Sequence, residues 1–318
     1  MKFVIIGCGN IVIKEHIPAI MSLPLKINGL CDISIENINK IKKIIGYETP
    51  SFTCYKKLIY TIKPNVILIA LPHNNYYEVI KFCSCFPMKI IKEKPFALTL
   101  SQSKIFSDFS RNENFKIFTV CQKRYTTSYQ ILKKEIQKTK ENISHFKIRY
   151  TIPSKNPNGC WRSQYSTSGG GVWIDMGYHV IDIINYFFDG KEIKVNYARL
   201  INSSNGDYNV DDIAFVELEC NGVIILAYIS CVAIEKHEDI TIYGENTIFY
   251  SDKKKVTLKN KKQELIKYFN IKNISPFIEM YKEFLFNGGE SAFERNLNNS
   301  ISLMRVLEKV NKNNKYTI

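Results

Sequence analysis

The chain has 318 residues, of which 45% are hydrophobic and 23% charged, with a net charge of +14. This profile excludes a disordered or collagen-like polypeptide, and the length points to two domains. The excess of 44 Lys and Arg over 30 Asp and Glu raises nucleic acid as a partner. The lysines are scattered, however, as at Lys40, Lys42, Lys43 and Lys253–Lys255, in stretches that read as solvated surface, so no nucleic-acid partner is expected. No segment approaches the roughly 18 apolar residues of a membrane span. The run before Gly7-Cys8 is shorter than the about 7 to 15 residues of a secretory core, so a cytoplasmic protein with no membrane partner is expected. The nine cysteines are odd in number and scattered, which favours reduced thiols. Cys83 and Cys85 lack a second pair at zinc spacing, and no metal is expected.

In chain order, the first 120 or so residues alternate short apolar runs with amphipathic stretches. That pattern predicts βαβ units around a parallel sheet. Strands are expected at Lys2–Ile6, Lys26–Asp32, Val66–Ala70, Met88–Lys92 and Lys116–Cys121. Helices are expected at Ile11–Met21, Ile35–Ile45, Tyr55–Thr61, Tyr76–Cys83 and Leu100–Arg111. After Cys121 come a helix over Ser128–Thr139, a strand over His145–Ile152, a long loop to Gly171 and a helix over Val172–Phe188. Strands at Val195–Ile201, Ile213–Glu219, Val223–Ser230 and Ile240–Tyr243 follow, with Asn221-Gly222 as the clearest hairpin turn. Helical periodicity resumes from Pro276. The expected fold is therefore α/β: a doubly wound parallel Rossmann sheet over residues 1–121, then an α/β domain over 122–318 with a mostly antiparallel open sheet.

Directly after the first strand stands Gly7-Cys8-Gly9-Asn10-Ile11-Val12. A glycine turn opening a helix lets the backbone approach a pyrophosphate, and the helix N-terminus supplies N–H donors. Gly7, Gly9, Asn10 and Ile11 are accordingly candidate cofactor residues. Val12 replaces the third glycine, which predicts a helix set slightly further from the sheet. Asp32 ends the second strand, where a carboxylate accepts from ribose hydroxyls and repels a 2′-phosphate. With no cationic residue beside it, NAD is favoured over NADP.

Two further segments carry polar groups suited to chemistry. Ile91-Lys92-Glu93-Lys94-Pro95-Phe96 lies at the C-terminal end of an expected parallel strand, where open α/β sheets bind ligands. In Gly169-Gly170-Gly171-Val172-Trp173-Ile174-Asp175-Met176-Gly177-Tyr178-His179-Val180-Ile181-Asp182, the residues Asp175, His179 and Asp182 are spaced to share one face of an α-helix. With the glycine turn, Asp32, the run Lys63 to Pro72 and Arg124, these segments resemble the glucose-fructose oxidoreductase/inositol dehydrogenase (Gfo/Idh/MocA) family along nearly the whole chain. Tyr76, where many relatives carry His, departs from the pattern.

The resemblance implies a nicotinamide cofactor near Leu71, Pro72, Glu93 and Lys94, catalytic positions at Lys94, Asp175 and His179, and a second-domain sheet that often mediates oligomers. A homodimer or homotetramer is expected. His179 would act as general base on a substrate hydroxyl, Lys94 would donate a hydrogen bond to the same oxygen, and Asp175 would orient substrate or lysine. Lys94, Arg124, Trp161, Arg162, Asp175 and His179 are the candidate substrate contacts, and Asp182 is expected to support the helix. The function this implies is hydride transfer to or from a hydroxyl or carbonyl carbon of a sugar, nucleotide sugar or cyclitol. A non-catalytic dinucleotide sensor, or a reductase of an imine or another carbonyl compound, is the alternative.

Overall fold

A computed structural model describes residues 1–153, 159–272 and 274–313. Residues 154–158, part of the loop expected before Gly171, and residues 314–318 at the end of the expected second domain lie outside the described residues. The described chain divides into two compact units, Met1–Val120 with Phe277–Ile301, and Cys121–Pro276 with the residues from Ser302 onward.

The first unit is built on β1 (Phe3–Ile6), β2 (Ile27–Cys31), β3 (Ser51–Phe52), β4 (Val66–Ile69), β5 (Met88–Lys92) and β6 (Phe115–Thr119). All pair in parallel, in the order β3-β2-β1-β4-β5-β6. Every residue of β1 and β4 is buried, as strands covered on both faces require. The helices between them are α1 (Ile17–Met21, entered through a π turn at Val12–His16), α2 (Ile35–Ile45), α3 (Tyr55–Ile62), α4 (Tyr76–Cys83) and α5 (Leu100–Ser110). Local chemistry bounds α2: the Ser34 hydroxyl accepts from Asn37 N, and Gly46 ends the helix in the left-handed conformation. Between those caps Ile38, Ile41 and Ile45 are buried, each contributing about 1.5–3 kcal/mol by leaving water. The strand order reverses direction between β1 and β4, the switch point at which such sheets bind ligands.

The second unit contains α6 (Thr127–Thr139), β7 (Ile143–Pro153), α7 (Tyr165–Ser168), α8 (Tyr178–Phe187), β8 (Ile193–Ile201), β9 (Ile213–Cys220), β10 (Val223–Ser230), β11 (Val232–Gly244), β12 (Thr247–Ser251), β13 (Lys255–Asn260) and β14 (Leu265–Asn270). Its sheet runs β14-β13-β12-β11-β7-β10-β9-β8 and is antiparallel except where β10 meets β7. One face turns Phe146, Ile148, Ile225 and Ile242 inward, and the rings of Phe187 and Phe188 pack on Phe146 at 5.7 and 5.2 Å. The other face leaves Tyr197, Phe215 and Leu226 about half exposed, with Phe215 stacked on Tyr228 at 5.0 Å.

Two helices close the chain, α9 (Pro276–Lys282) and α10 (Gly289–Asn313). The sequence pattern places everything after residue 121 in the second domain, whereas Phe277–Ile301 forms part of the first unit. There Phe284 meets Phe118 at 4.5 Å, and the Asn296 amide caps the free edge of β6, donating to Thr119 O at 2.9 Å and accepting from Thr119 N at 2.8 Å. An edge strand buried under helices needs such a partner for its backbone groups.

Candidate active site

In the first unit, Gly7 has φ +91°, and a Cβ there would collide with the Ala70 carbonyl oxygen. Gly9 has nothing within 4 Å of the position its Cβ would take, leaving open space over the turn. Asp32 is held on both oxygens: Cys8 N donates to Oδ2 at 2.6 Å and Ser34 N to Oδ1 at 2.7 Å. Each oxygen keeps acceptor capacity for a hydroxyl. Asn10 and Ile11 are exposed at the start of the helix, while Val12 is wholly buried. The helix opens as a π turn at Val12, so the third-glycine position is met by a wider turn as well as a larger side chain.

Asp32, Gly7, Leu71-Pro72 and Glu93-Lys94 follow β2, β1, β4 and β5, four neighbouring strands. Three strand spacings set the two ends roughly 14 Å apart along the sheet edge. An open glycine turn, a held carboxylate at one end and a polar turn at the other fit an extended dinucleotide.

The turn after β5 is tied down by buried groups. Glu93 Oε1 meets His16 Nε2 at 2.8 Å, and Lys94 N donates to Glu93 Oε2 at 3.2 Å. Lys92 Nζ donates to Glu93 O at 2.7 Å and also to Pro95 O. Burial disfavours the Glu93 charge, but His16, then Lys94 and Lys92, outweigh it and hold the carboxyl below the usual carboxylate range. Tyr76 places its ring 3.8 Å from Lys92 Nζ, a cation–π contact for a fully buried ammonium.

In the second unit, Asp211 organises the glycine-rich turn. Its carboxylate accepts from Gly171 N at 2.8 Å and Trp173 N at 2.7 Å, and its carbonyl accepts from Val172 N at 2.8 Å. A Cβ on Gly171 would run into the Asp211 backbone, so glycine is required by this close approach. The segment Trp173–Gly177 is a π turn leading into α8. The extra residue in that turn means the uniform α-helical spacing expected for Asp175, His179 and Asp182 does not apply, and the three meet different surroundings. Asp175 is partly exposed and lies 3.5 Å from Arg162 Nε, whose guanidinium stacks 4.3 Å from the Trp161 ring. His179 is buried, edge-on to Tyr150 at 6.2 Å. Asp182 is fully buried and ion-paired with Arg124.

Arg124, a candidate substrate contact, donates from Nη2 to Asp182. Burial works against the guanidinium charge, but Asp182 and Cys121 outweigh it and keep Arg124 above its ordinary value. Burial pushes the Asp182 carboxyl up against the pull of Arg124. Beside this pair, Lys123 bonds Glu238 and sits 5.0 Å from the Tyr150 ring centre, and Lys253 reaches Glu238 at 2.9 Å. Burial opposes the Glu238 charge, but Lys123 and Lys253 prevail and lower its pKa. A depressed folded-state pKa stabilises the fold above the unfolded value of about 4.3 and loses that contribution as pH falls through the folded value. In urea titrations between pH 7 and 3, Glu238→Gln is therefore expected to flatten the acid limb relative to wild type; an identical limb would show that Glu238 is not one of its sources.

Sequence patterning did not find Asp211, His16 or Tyr281. Asp211 follows Val210 in a polar loop, and nothing in its local spacing marks it as the cap of a turn 40 residues earlier.

A parallel sheet in the order 3-2-1-4-5-6, with a glycine turn after its first strand and an acidic residue after its second, defines a Rossmann dinucleotide-binding protein. Residues 1–120 match the model of the oxidoreductase family with NAD-binding Rossmann fold, GFO/IDH/MocA, and residues 139–250 match the GFO/IDH/MocA C-terminal domain. The chain belongs to this family. It is 21% identical over 201 residues to myo-inositol 2-dehydrogenase of Thermotoga maritima, covering 62% of this chain and 58% of the relative, so the match spans less than two thirds of that relative's length. Its fold is shared with a 3-ketoreductase from Actinomadura kijaniata solved with TDP-benzene and NADP (TM-score 0.85, 16% identity, 98% and 97% of the two chains). It is shared also with the WlbA dehydrogenase of Bordetella pertussis solved with NADH and UDP-GlcNAcA (TM-score 0.79, 15% identity, 98% and 96%). No helix among the described residues is long and apolar enough to cross a membrane.

Proposed function

We propose that this chain is an NAD-dependent dehydrogenase or reductase that moves a hydride to or from a hydroxyl or carbonyl carbon of a sugar, nucleotide sugar or cyclitol in the cytoplasm. The observation that carries the reading is the Asp32 carboxylate, held by Cys8 N and Ser34 N at the end of β2 beside the open glycine turn. The relatives act on or bind cyclitols and nucleotide-linked compounds, which supports the substrate class.

The nicotinamide, when bound, supplies the hydride acceptor or donor. His179 takes the proton of the reacting hydroxyl in oxidation and returns one in reduction, a role suited to an imidazole. Lys94 donates a hydrogen bond to the reacting oxygen and stabilises developing alkoxide charge. Asp175, Arg162 and Trp161 form one polar and aromatic group in the second unit and are assigned to orienting the substrate. Arg124 is reassigned to holding Asp182 and α8. The half-exposed aromatic face of the second sheet is an apolar surface of the kind that mediates self-association, and supports a homodimer or homotetramer.

The reading is tested by NAD(H) titration calorimetry, followed by turnover with NAD and NADP across a panel of polyols, sugars and nucleotide sugars. Binding without turnover of any member would favour a sensor. Asp32→Ser should raise the kcat/KM ratio of NADP to NAD by about tenfold or more, since a charge-assisted hydrogen bond contributes about 1.5–3 kcal/mol; an unchanged ratio removes Asp32 from cofactor selection.

A further inference from the structure

We propose that His16 and Tyr281 are positioning residues for the nicotinamide end of the cofactor, acting through Glu93 on the Glu93-Lys94 turn; the proposal rests on the NAD reading above. The three side chains form one buried chain of hydrogen bonds within the first unit. Tyr281 Oη lies 2.6 Å from His16 Nδ1, and His16 Nε2 lies 2.8 Å from Glu93 Oε1. His16 and Tyr281 are completely buried, with Phe277 edge-on to the imidazole at 4.8 Å.

The directions of these bonds follow from the chemistry. An ionised carboxylate only accepts, so His16 Nε2 carries the proton and donates to Glu93. In the neutral imidazole Nδ1 is then the acceptor, and Tyr281 donates to it. Burial, and then the nearby Glu93 charge, raise the Tyr281 phenol well above its ordinary value, so that proton stays in place. The carboxylate thus selects the tautomer, and the phenol, bonded to Nδ1, holds the ring that holds the carboxylate.

Burying three polar groups in an apolar interior costs several kcal/mol unless every bond is made, and an apolar trio would fill the space without that cost. What the polar trio adds is a grip on the turn. The second Glu93 oxygen accepts from Lys94 N, while Lys92 holds the carbonyls of Glu93 and Pro95 from the other side. The turn follows β5, three strands from Asp32 after β2. With the adenosine ribose at Asp32, the nicotinamide would lie toward the β5 end, where Glu93 stands; His16, in the turn that follows the glycine turn, grips that end through the Glu93 carboxylate.

The experiment compares NADH with ADP-ribose, which lacks the nicotinamide, on wild-type protein, His16→Leu, His16→Gln and Tyr281→Phe. His16→Leu and Tyr281→Phe should weaken NADH about fivefold or more, leave ADP-ribose within twofold, and dim the nicotinamide fluorescence of bound NADH. His16→Gln, whose amide still donates to Glu93, should recover part of both signals. Tyr281→Phe removes a single oxygen and guards against misfolding of the leucine variant. Equal weakening of both ligands, or no change in either, in variants that melt cooperatively overturns the proposal. Failure of the wild-type protein to bind either ligand overturns the NAD reading and the proposal with it.

Discussion

Lys94→Met should lower turnover by about 10²–10³-fold, the range for removing a donor to a developing oxyanion, and His179→Asn by about 10²–10⁴-fold, the range for removing a positioned acid–base group, while NADH affinity stays within a few-fold of wild type. The surrounding structure makes the result interpretable. The turn carrying Lys94 is held by Glu93 and Lys92 through backbone atoms, so deleting the ammonium leaves its frame in place. The helix carrying His179 is anchored at its start by Asp211, and asparagine retains a polar side chain at the buried position. Steady-state kinetics with whichever panel compound is turned over, alongside calorimetry with NADH, separates the outcomes. Wild-type kcat in either variant would remove that residue from the reaction. A parallel loss of NADH binding would move it from catalysis to cofactor binding.

The second large effect concerns stability. Asp182 has no exposed side-chain surface and Arg124 little, so removing one partner leaves the other buried without its counter-charge. Asp182→Leu should cost about 3–5 kcal/mol, as for other broken buried pairs, whereas Arg124→Met combined with Asp182→Leu should recover most of that loss. Urea unfolding followed by fluorescence reads both; Trp173, buried in the same unit, is a natural reporter. If the single variant cost less than about 1 kcal/mol, the pair would be behaving like an exposed ion pair and its assignment as the support of α8 would fail.

The order of elements in the first unit was legible because helix caps, glycine turns and apolar periodicity act over a few residues. Ser34 and Gly46 bound α2 where the pattern placed it, and Gly7 stands where the backbone needs a positive φ. The segment after Gly244 was less legible. The pattern placed no strand between residues 244 and 275, yet β12, β13 and β14 lie there. The alternation in Thr247–Ser251 is short, and the edge strand β14 exposes Leu265, Ile266 and Tyr268 instead of alternating.

By itself, then, the sequence determined the βαβ order, the family and the residue types suited to dinucleotide and hydride chemistry, since these reside in local spacing and short motifs. Only the tertiary structure decided which buried charges meet. It committed Arg124 to Asp182 across 58 residues of sequence, joined His16 to Glu93 across 77 and to Tyr281 across 265, and set Asp211 beneath the turn that begins the His179 helix. It likewise returned Phe277–Ile301 to the first unit. A buried polar group must find its partner wherever the folded chain brings one, and that partner leaves no mark on the residues beside it.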